Sequence, residues 1–554
     1  MFRKLPILGY CLVLTIVLGS VTSVFAQTKA LAPINVAYAG VDRLHEDLDY
    51  IFGLASEPKS LKTLMDTLDV FFVGLDPQKP PVVQVHVRNG KFNLVLHVPT
   101  TDAKEFRNNA RTMGLRSRPI GGGVYQIEKL FNGFMQEFPA SANSGDATTI
   151  IAASRDDLVP LGQFTTFKRK LESKDYDLVG SIVNVGSEIK DREAAVEALR
   201  AEIIPSLERL KSETQNEFEI RKLTLDQEIS GLRQFYTEAE WIKGLGNISR
   251  KNKQAIFEID MKPLVNSNLA TSLAQLRKEP SYFVNIPQTF NEPLSGMIHI
   301  NLDPPRQKNL QKFWKQARPL LLKEIADSPA SSAQAKIHGS IVTEIVLDVL
   351  EQSTQNGVLD GFVNVTVGPS GRHVMIGGAK GDGAIVRQGL VKLKESAPVA
   401  LDAGMIGDVT LHKVTLPANL VEVEEIFGSK PVLIVGTGPK AIWYALGEGA
   451  EAKLKEVIAK TDRPPTVRSS VIASLHAKAL VWYKLYDAFR GKRKKGDLEA
   501  RKEAIAMFEK NDGTFDFWVD LRAETLKSTL AYNEGMLRYF GKTGGSFVKK
   551  NLQN

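Results

Sequence analysis

The chain has 554 residues, a formal charge of +8 from 71 basic and 63 acidic residues, and one cysteine, Cys11. That cysteine lies in the apolar leader, so the rest of the chain has no disulfide, no thiolate metal site and no cysteine nucleophile. The modest positive charge permits attraction to anionic lipid, polysaccharide or nucleic acid and requires none of them.

Arg3 and Lys4 precede an apolar run, Leu5 to Leu18, and Val24-Phe25-Ala26 ends in a small residue before Gln27. This is the layout of a secretory signal cleaved near Ala26, which predicts a periplasmic or extracellular protein. An uncleaved N-terminal membrane anchor is the rival reading, and Ser20, Thr22 and Ser23 count against it by diluting the end of the apolar run.

From residue 27, Val41 to Ile51 and Leu61 to Leu68 read as helices. Val82–Val87 and Phe92–Val98 alternate around Arg88-Asn89-Gly90, a strong hairpin signal. Asp102 caps a helix to about Met113. Strands follow at 124–127 and 148–153, a helix near Leu158, and a strand at 176–185.

Glu188 to Lys243 is charged and almost free of glycine, with apolar or small residues recurring from Leu199 to Ala239 every ~3.6 residues. One long, coiled-coil-like helix is expected there, docked along one face. Pro205 either kinks it or starts a second helix, because proline has no N–H to donate.

Beyond it, 255–261 and 294–302 read as strands and 308–326 as a helix, and Ser328 to Gln334 resembles a linker. The first-half order then returns. A helix at 341–350 is followed by strands at 361–367 and 373–377 around Ser370-Gly371, and by a helix from Asp382 to about Glu395. Strands at 409–416 and 441–446, a helix at 448–458 and a strand at 467–475 complete it. At the end, 515–521 alternates as a strand, 525–531 is its partner, and 534–540 is a short helix.

The recurrence predicts an internal duplication. The expected fold is α+β, with two related modules of antiparallel sheets and flanking helices joined by the long helical segment. The expected boundaries are 1–26 for the signal, 27–187 for the first module, 188–250 for the helical segment, 251–333 for connecting strands and helix, and 334–554 for the second module.

Asp360-Gly361-Phe362, His412 before Pro417, Ile426-Phe427-Gly428 and Tyr444-Ala445-Leu446-Gly447 resemble a group of large exported proteins of planctomycete bacteria. That resemblance implies a signal peptide and two related halves around a charged helix. It implies no catalytic residue.

Gly436-Thr437-Gly438-Pro439-Lys440-Ala441 matches a dinucleotide-binding fingerprint after Val432–Val435, yet Ala441–Leu446 reads as a second strand, so a hairpin turn is expected. Gly377 to Gly383 lacks the order of a phosphate-binding loop and is read as a glycine-rich turn capped by Asp382. His86, His97, His299, His373, His412 and His476 lie on strand-like runs, and His45 and His338 on helix-like ones. None forms a metal-binding pair in sequence. Carrying the first hairpin turn onto the second sets His86 on Val367 and His97 on Gly378, so a duplicated metal site is not indicated. No supported nucleophile motif occurs, no cofactor is expected, and the catalytic residues, if any, stay unassigned.

Arg490, Lys492, Arg493, Lys494 and Lys495 form the one dense basic run, able to bind an anionic surface weakly. Without interleaved aromatic residues it does not predict specific nucleic-acid binding. The functional expectation is an exported, non-catalytic scaffold or interaction protein of the cell envelope, with a protein or envelope component as partner. The alternative is an envelope ligand-binding protein or hydrolase with a site in a cleft between modules.

Overall fold

The computed structural model describes residues 34–88, 91–112, 115–128, 133–139, 147–158, 171, 175–184, 189–210, 213–276, 278–286, 292–327, 332–368, 370–416, 421–428, 431–461, 470–490 and 495–552. It is a mixed fold of helices and antiparallel strands, the α+β class expected. The chain divides into two compact units. The first holds the residues up to Ile203 with Leu232–Val265 and Ala531–Asn554; the second holds Ile204–Gly231 and Asn266–Leu530.

The first unit runs β1 (Ile34–Tyr38), α1 (Val41–Leu54), α2 (Pro58–Phe72), β2 (Val82–Arg88), β3 (Lys91–Pro99) and α3 (Ala103–Thr112). It continues with β4 (Ser117–Gly121), β5 (Val124–Ile127), β6 (Gly133–Phe138), β7 (Thr148–Ala152), a 3-10 turn (Arg155–Asp157) and β8 (Leu178–Val183). Then come α4 (Ile189–Ser206), whose last residues fall in the second unit, α5 (Gln215–Glu238), which the second unit holds up to Gly231, and β9 (Ala239–Ser249) and β10 (Gln254–Pro263), both in the first. All its ladders are antiparallel, in the order β4-β5-β6-β7-β3-β2-β1-β8-β9-β10. On one face Val98, Phe106, Ile127, Met135 and Ile151 pack together, which seats α3 on the sheet. On the other, Ala37, Val82, Val179 and Leu171 form a second layer.

The last helix of the chain, α14 (Glu534–Asn551), also belongs to this unit. Asn533 caps it, accepting from Met536 N at 3.2 Å. Its Val548 packs with Phe52 and Leu64. Gly541 is required there: a Cβ would stand 2.3 Å from the Ile51 carbonyl oxygen.

The second unit runs α6 (Asn268–Gln275), β11 (Leu294–Asn301), α7 (Pro304–Asp327), α8 (Ala333–Gln355), β12 (Val358–Val367), β13 (His373–Lys380) and α9 (Gly383–Lys394). Next are β14 (Val399–Ile406), β15 (Val409–Thr415), α10 (Val421–Phe427), β16 (Val432–Thr437), β17 (Ala441–Leu446) and α11 (Ala450–Thr461). It closes with β18 (Val471–Lys478), α12 (Ala479–Arg490), α13 (Lys495–Lys510), β19 (Thr514–Leu521) and β20 (Leu526–Asn533), whose last residues fall in the first unit. The order is β14-β15-β16-β17-β13-β12-β11-β18-β19-β20, again antiparallel throughout the ladders of known register. Its core gathers Phe283, Phe362 and Trp443, with ring centroids 5.0 to 6.1 Å apart, under Leu454, Val457 and Ile458 of α11.

The helical segment expected over 188–243, with a kink or a second helix at Pro205, is two helices followed by a strand. α4 stops one residue past Pro205, where the missing N–H ends the ladder. α5 then starts from a capping box: Thr214 Oγ1 accepts from Glu217 N at 3.1 Å, and Glu217 Oε2 accepts from Thr214 N at 2.9 Å. Residues 239–243, expected as helix, form the start of β9 and pair with both β8 and β10. The stretch 251–333, expected as a connection, gives β10 to the first unit and β11 and α7 to the second. Of the expected linker, Ser332 caps α8, accepting from Ala335 N at 3.1 Å, and Ala333 and Gln334 are helical.

Candidate functional site

The strands belong to one large open sheet, and each unit carries a row of polar side chains across its central strands, where a buried polar group must find a partner. In the first unit Asn35 on β1 faces Gln84 on β2 and Ser181 on β8. Gln84 Nε2 donates to Asn35 Oδ1 at 2.7 Å, and Gln84 Oε1 accepts from His97 Nε2 at 2.8 Å and His86 Nε2 at 3.2 Å. The two histidines of the hairpin are thus brought together by a glutamine. Burial, with the neighbouring charge of His86, pushes the His97 imidazole down to about 4. His97 is therefore neutral at any physiological pH.

In the second unit Ser295 on β11 faces Asn364 on β12 and His476 on β18, and His476 faces Asp516 on β19. Ser295 Oγ donates to Asn364 Oδ1 at 3.0 Å, and His476 Nδ1 lies 2.5 Å from Asp516 Oδ1. Serine, histidine and aspartate on adjacent strands invite comparison with a nucleophilic triad. Here the serine hydroxyl is spent on the asparagine, and Ser295 and His476 are each 3% exposed. The arrangement links four adjacent strands and sets the Ser295 hydroxyl on Asn364 rather than on His476.

A second network of this unit anchors residues 279–282. Asp360 accepts from Ser281 Oγ at 2.7 Å and from Tyr282 N at 2.6 Å, and its Oδ2 lies 3.5 Å from His299 Nδ1. His299 Nε2 donates to the Glu279 carbonyl at 2.7 Å. Burial alone would lower the His299 imidazole, but Asp360 and that carbonyl outweigh it and the net shift is upward. His412 is fully buried: its Nδ1 accepts from Asp402 N at 3.1 Å, which places the proton on Nε2, donated to Thr437 Oγ1 at 2.9 Å. Burial lowers this imidazole against the opposing charge of Asp402. Asp402 itself has φ 53 at the irregularity of β14, so His412 pins a strained edge residue. Of the remaining histidines, His45 pairs with Asp69 at 3.0 Å, His338 donates to the Ser396 carbonyl at 2.8 Å, and burial lowers His373. Among the described residues no three or more His, Cys, Asp or Glu side chains gather as a metal ion would require.

The glycine motifs are accounted for by packing. Gly436 and Thr437 end β16, Gly438 N donates to the Ala441 carbonyl at 3.0 Å, and β17 follows antiparallel, the hairpin expected from sequence. The Gly377–Gly383 stretch is less of a turn than expected: Gly377 to Lys380 are strand β13, and only Gly381 and Asp382 form the loop before α9. Gly377 faces Tyr444, whose ring lies where a Cβ would be, 2.1 Å away. Asp382 does cap α9, accepting from Ala384 N at 2.9 Å. In the basic run α12 ends at Arg490 and α13 begins at Lys495, while Lys492, Arg493 and Lys494 lie outside the described residues.

The polar cluster that sequence reasoning missed is in the first unit. Asp47 and Asp177 are both 2% exposed and are held by Tyr38 and Arg43. The signal was present, because Asp47 falls three residues after Leu44 on the inward face of a helix. No helix among the described residues is long and apolar enough to cross a membrane. No family model, curated protein or solved structure matches the chain.

Proposed function

We propose that this chain is an exported, non-catalytic scaffold or interaction protein of the cell envelope, built by internal duplication of one α+β module. The observation that carries the reading is the correspondence of the two ladders. Adding ten to every strand label of the first unit gives the strand order of the second. Equivalent positions also carry equivalent pairings. Val95 faces Ala152 and Ala152 faces Phe134; Ile376 faces Ala445 and Ala445 faces Ile434. Asn35 with Gln84 and Ser181 corresponds to Ser295 with Asn364 and His476. Asp102 and Asp382 cap the helix that follows the hairpin in each. A one-residue slip would turn every side chain to the opposite face, so agreement at so many positions favours common descent over coincidence.

The non-catalytic part rests on the polar rows, where Gln84 engages His97 and Asn35, and Asn364 engages Ser295. Export rests on the leader, and kinship with the exported planctomycete proteins rests on the motifs given above.

Two measurements test the reading. The chain expressed with its own first residues in a bacterium with two membranes should yield a periplasmic form whose intact mass starts at Gln27; a cytoplasmic form retaining Met1 would sink export. A thermal-shift panel of divalent metals, nucleotides, cell-wall fragments, anionic polysaccharides and lipids separates scaffold from binding protein. A ligand at one hundred times its dissociation constant adds about 2.7 kcal/mol to the native state. A salt-resistant rise with one compound class would replace the scaffold by the cleft-binding alternative.

A further inference from the structure

The first unit contains a charge cluster that ties four separate elements together. Tyr38 of β1 donates to Asp47 Oδ2 at 2.6 Å. Arg43, one turn earlier on α1, reaches Asp177 Oδ1 at 2.6 Å and stands 3.7 Å from Asp47 Oδ1. Asp177, just before β8, also accepts the backbone N–H of Ile248 on β9. Arg250, in the turn between β9 and β10, lies 3.9 Å from Asp47 Oδ1 and 3.3 Å from Glu46 Oε2. Arg43 completes the set with Glu46 at 3.3 Å and the Ile248 carbonyl at 3.4 Å.

The two buried aspartates are not equivalent. Asp177 has a close guanidinium and a backbone donor. Asp47 is as deeply buried, yet its Oδ1 has no hydrogen-bond partner, and both arginines stand beyond bonding distance of it. A buried carboxylate oxygen lacking a donor is a costly charge to keep.

We propose that Asp47 is an acid-sensitive latch: proton uptake by its carboxylate releases the pull on Arg250 and loosens the β9–β10 turn. The turn would be held in neutral medium and freed in mildly acidic medium. Burial, partly offset by the Tyr38 hydrogen bond, moves the Asp47 carboxyl up to about 6, inside the range an exported protein meets. Once Asp47 is neutral, the carboxylate left beside Arg250 among the described residues is Glu46, and both of those side chains are close to half exposed. An exposed pair of that kind is screened by water and holds weakly. Arg43 and Asp177 stay paired, so the β8–β9 ladder keeps its register. The change is confined to the turn from Arg250 to Lys253, where Lys253 has φ 54.

The test is amide hydrogen exchange of the full chain at pH 7.5 and 5.0, read as protection factors for the segment 249–254. The latch predicts at least a threefold loss of protection in that segment at pH 5.0, absent from the flanking strands. Asp47→Asn should show the low protection at both pH values. Arg250→Gln, a half-exposed position whose substitution leaves the core intact, should do the same, which covers the case in which the aspartate variant does not fold. Equal protection at both pH values in the unaltered chain, or an undiminished drop in Arg250→Gln, would overturn the proposal.

Discussion

Glu57 offers the sharpest test of how the first unit is held together. It stands at the N-cap of α2, is 5% exposed, and accepts from Lys542 Nζ at 2.6 Å, Lys549 Nζ at 2.7 Å and Ser60 Oγ at 3.1 Å. Burial alone would raise its carboxyl, but these three donors outweigh it and hold it at about 2. Set against the ordinary value of 4.5, that depression corresponds to about 3 kcal/mol of native-state stabilisation at neutral pH. Both lysine side chains are half exposed and share their charge with water, which reduces the effective figure to about 2 kcal/mol. Glu57→Gln keeps the shape and removes the charge, so it should lower the melting temperature of the first unit by about 4–8 °C at pH 7.

The pH dependence follows from the sign of the shift. A depressed carboxyl contributes fully above its unfolded value and loses that contribution as pH falls through its folded value. The difference between the two proteins should therefore be constant from pH 5 to 8, shrink below 4.5 and fade near 2. Calorimetric scans at pH 7, 4 and 2.5 would show this. A variant within about 0.5 kcal/mol of the parent at pH 7, or a difference indifferent to pH, would refute the argument that these charges hold α14 in place.

Other expectations concern separate parts of the fold. Gly377→Ala should cost the second unit about 1–3 kcal/mol, read by denaturant unfolding, because the new methyl enters the Tyr444 ring. Thr214→Ala should cost ~1 kcal/mol and fray the first turn of α5, seen as faster amide exchange at Glu217. His97, whose folded value is depressed, stabilises the native state above its ordinary value of 6.5; this is lost as pH falls through about 4, and a proton-NMR titration should find it neutral at pH 5.5.

Much of the topology was legible because local chemistry and final position agreed. The hairpin of β2 and β3 alternates cleanly, and Arg88 pairs with Lys91 across the expected turn, although Asn89 and Gly90 lie outside the described residues. Asp102 and Asp382 announced their helices. Elsewhere tertiary context decided. β14 escaped notice because its alternation breaks at Asp402, whose backbone is held by a histidine ten residues further on. The long helix misled because its apolar period runs on through Thr214, while hydrogen-bond termination depends on a Thr-x-x-Glu cap that periodicity does not register. The polar rows were least legible. Ser295 and His476 are ordinary strand residues until the sheet sets them side by side.

The placement of α14 bears on the order in which this protein is made. The first unit needs residues from Ala531 onward, which a ribosome delivers only after every strand from β11 to β19. Until then Phe52 and Leu64 lack the Val548 that covers them, and Glu57 has neither lysine. The contacts that cover Phe52 and Leu64 and pair Glu57 are thus the last of the first unit that synthesis can complete. Closure would then come last, with the C-terminal helix acting as the fastener.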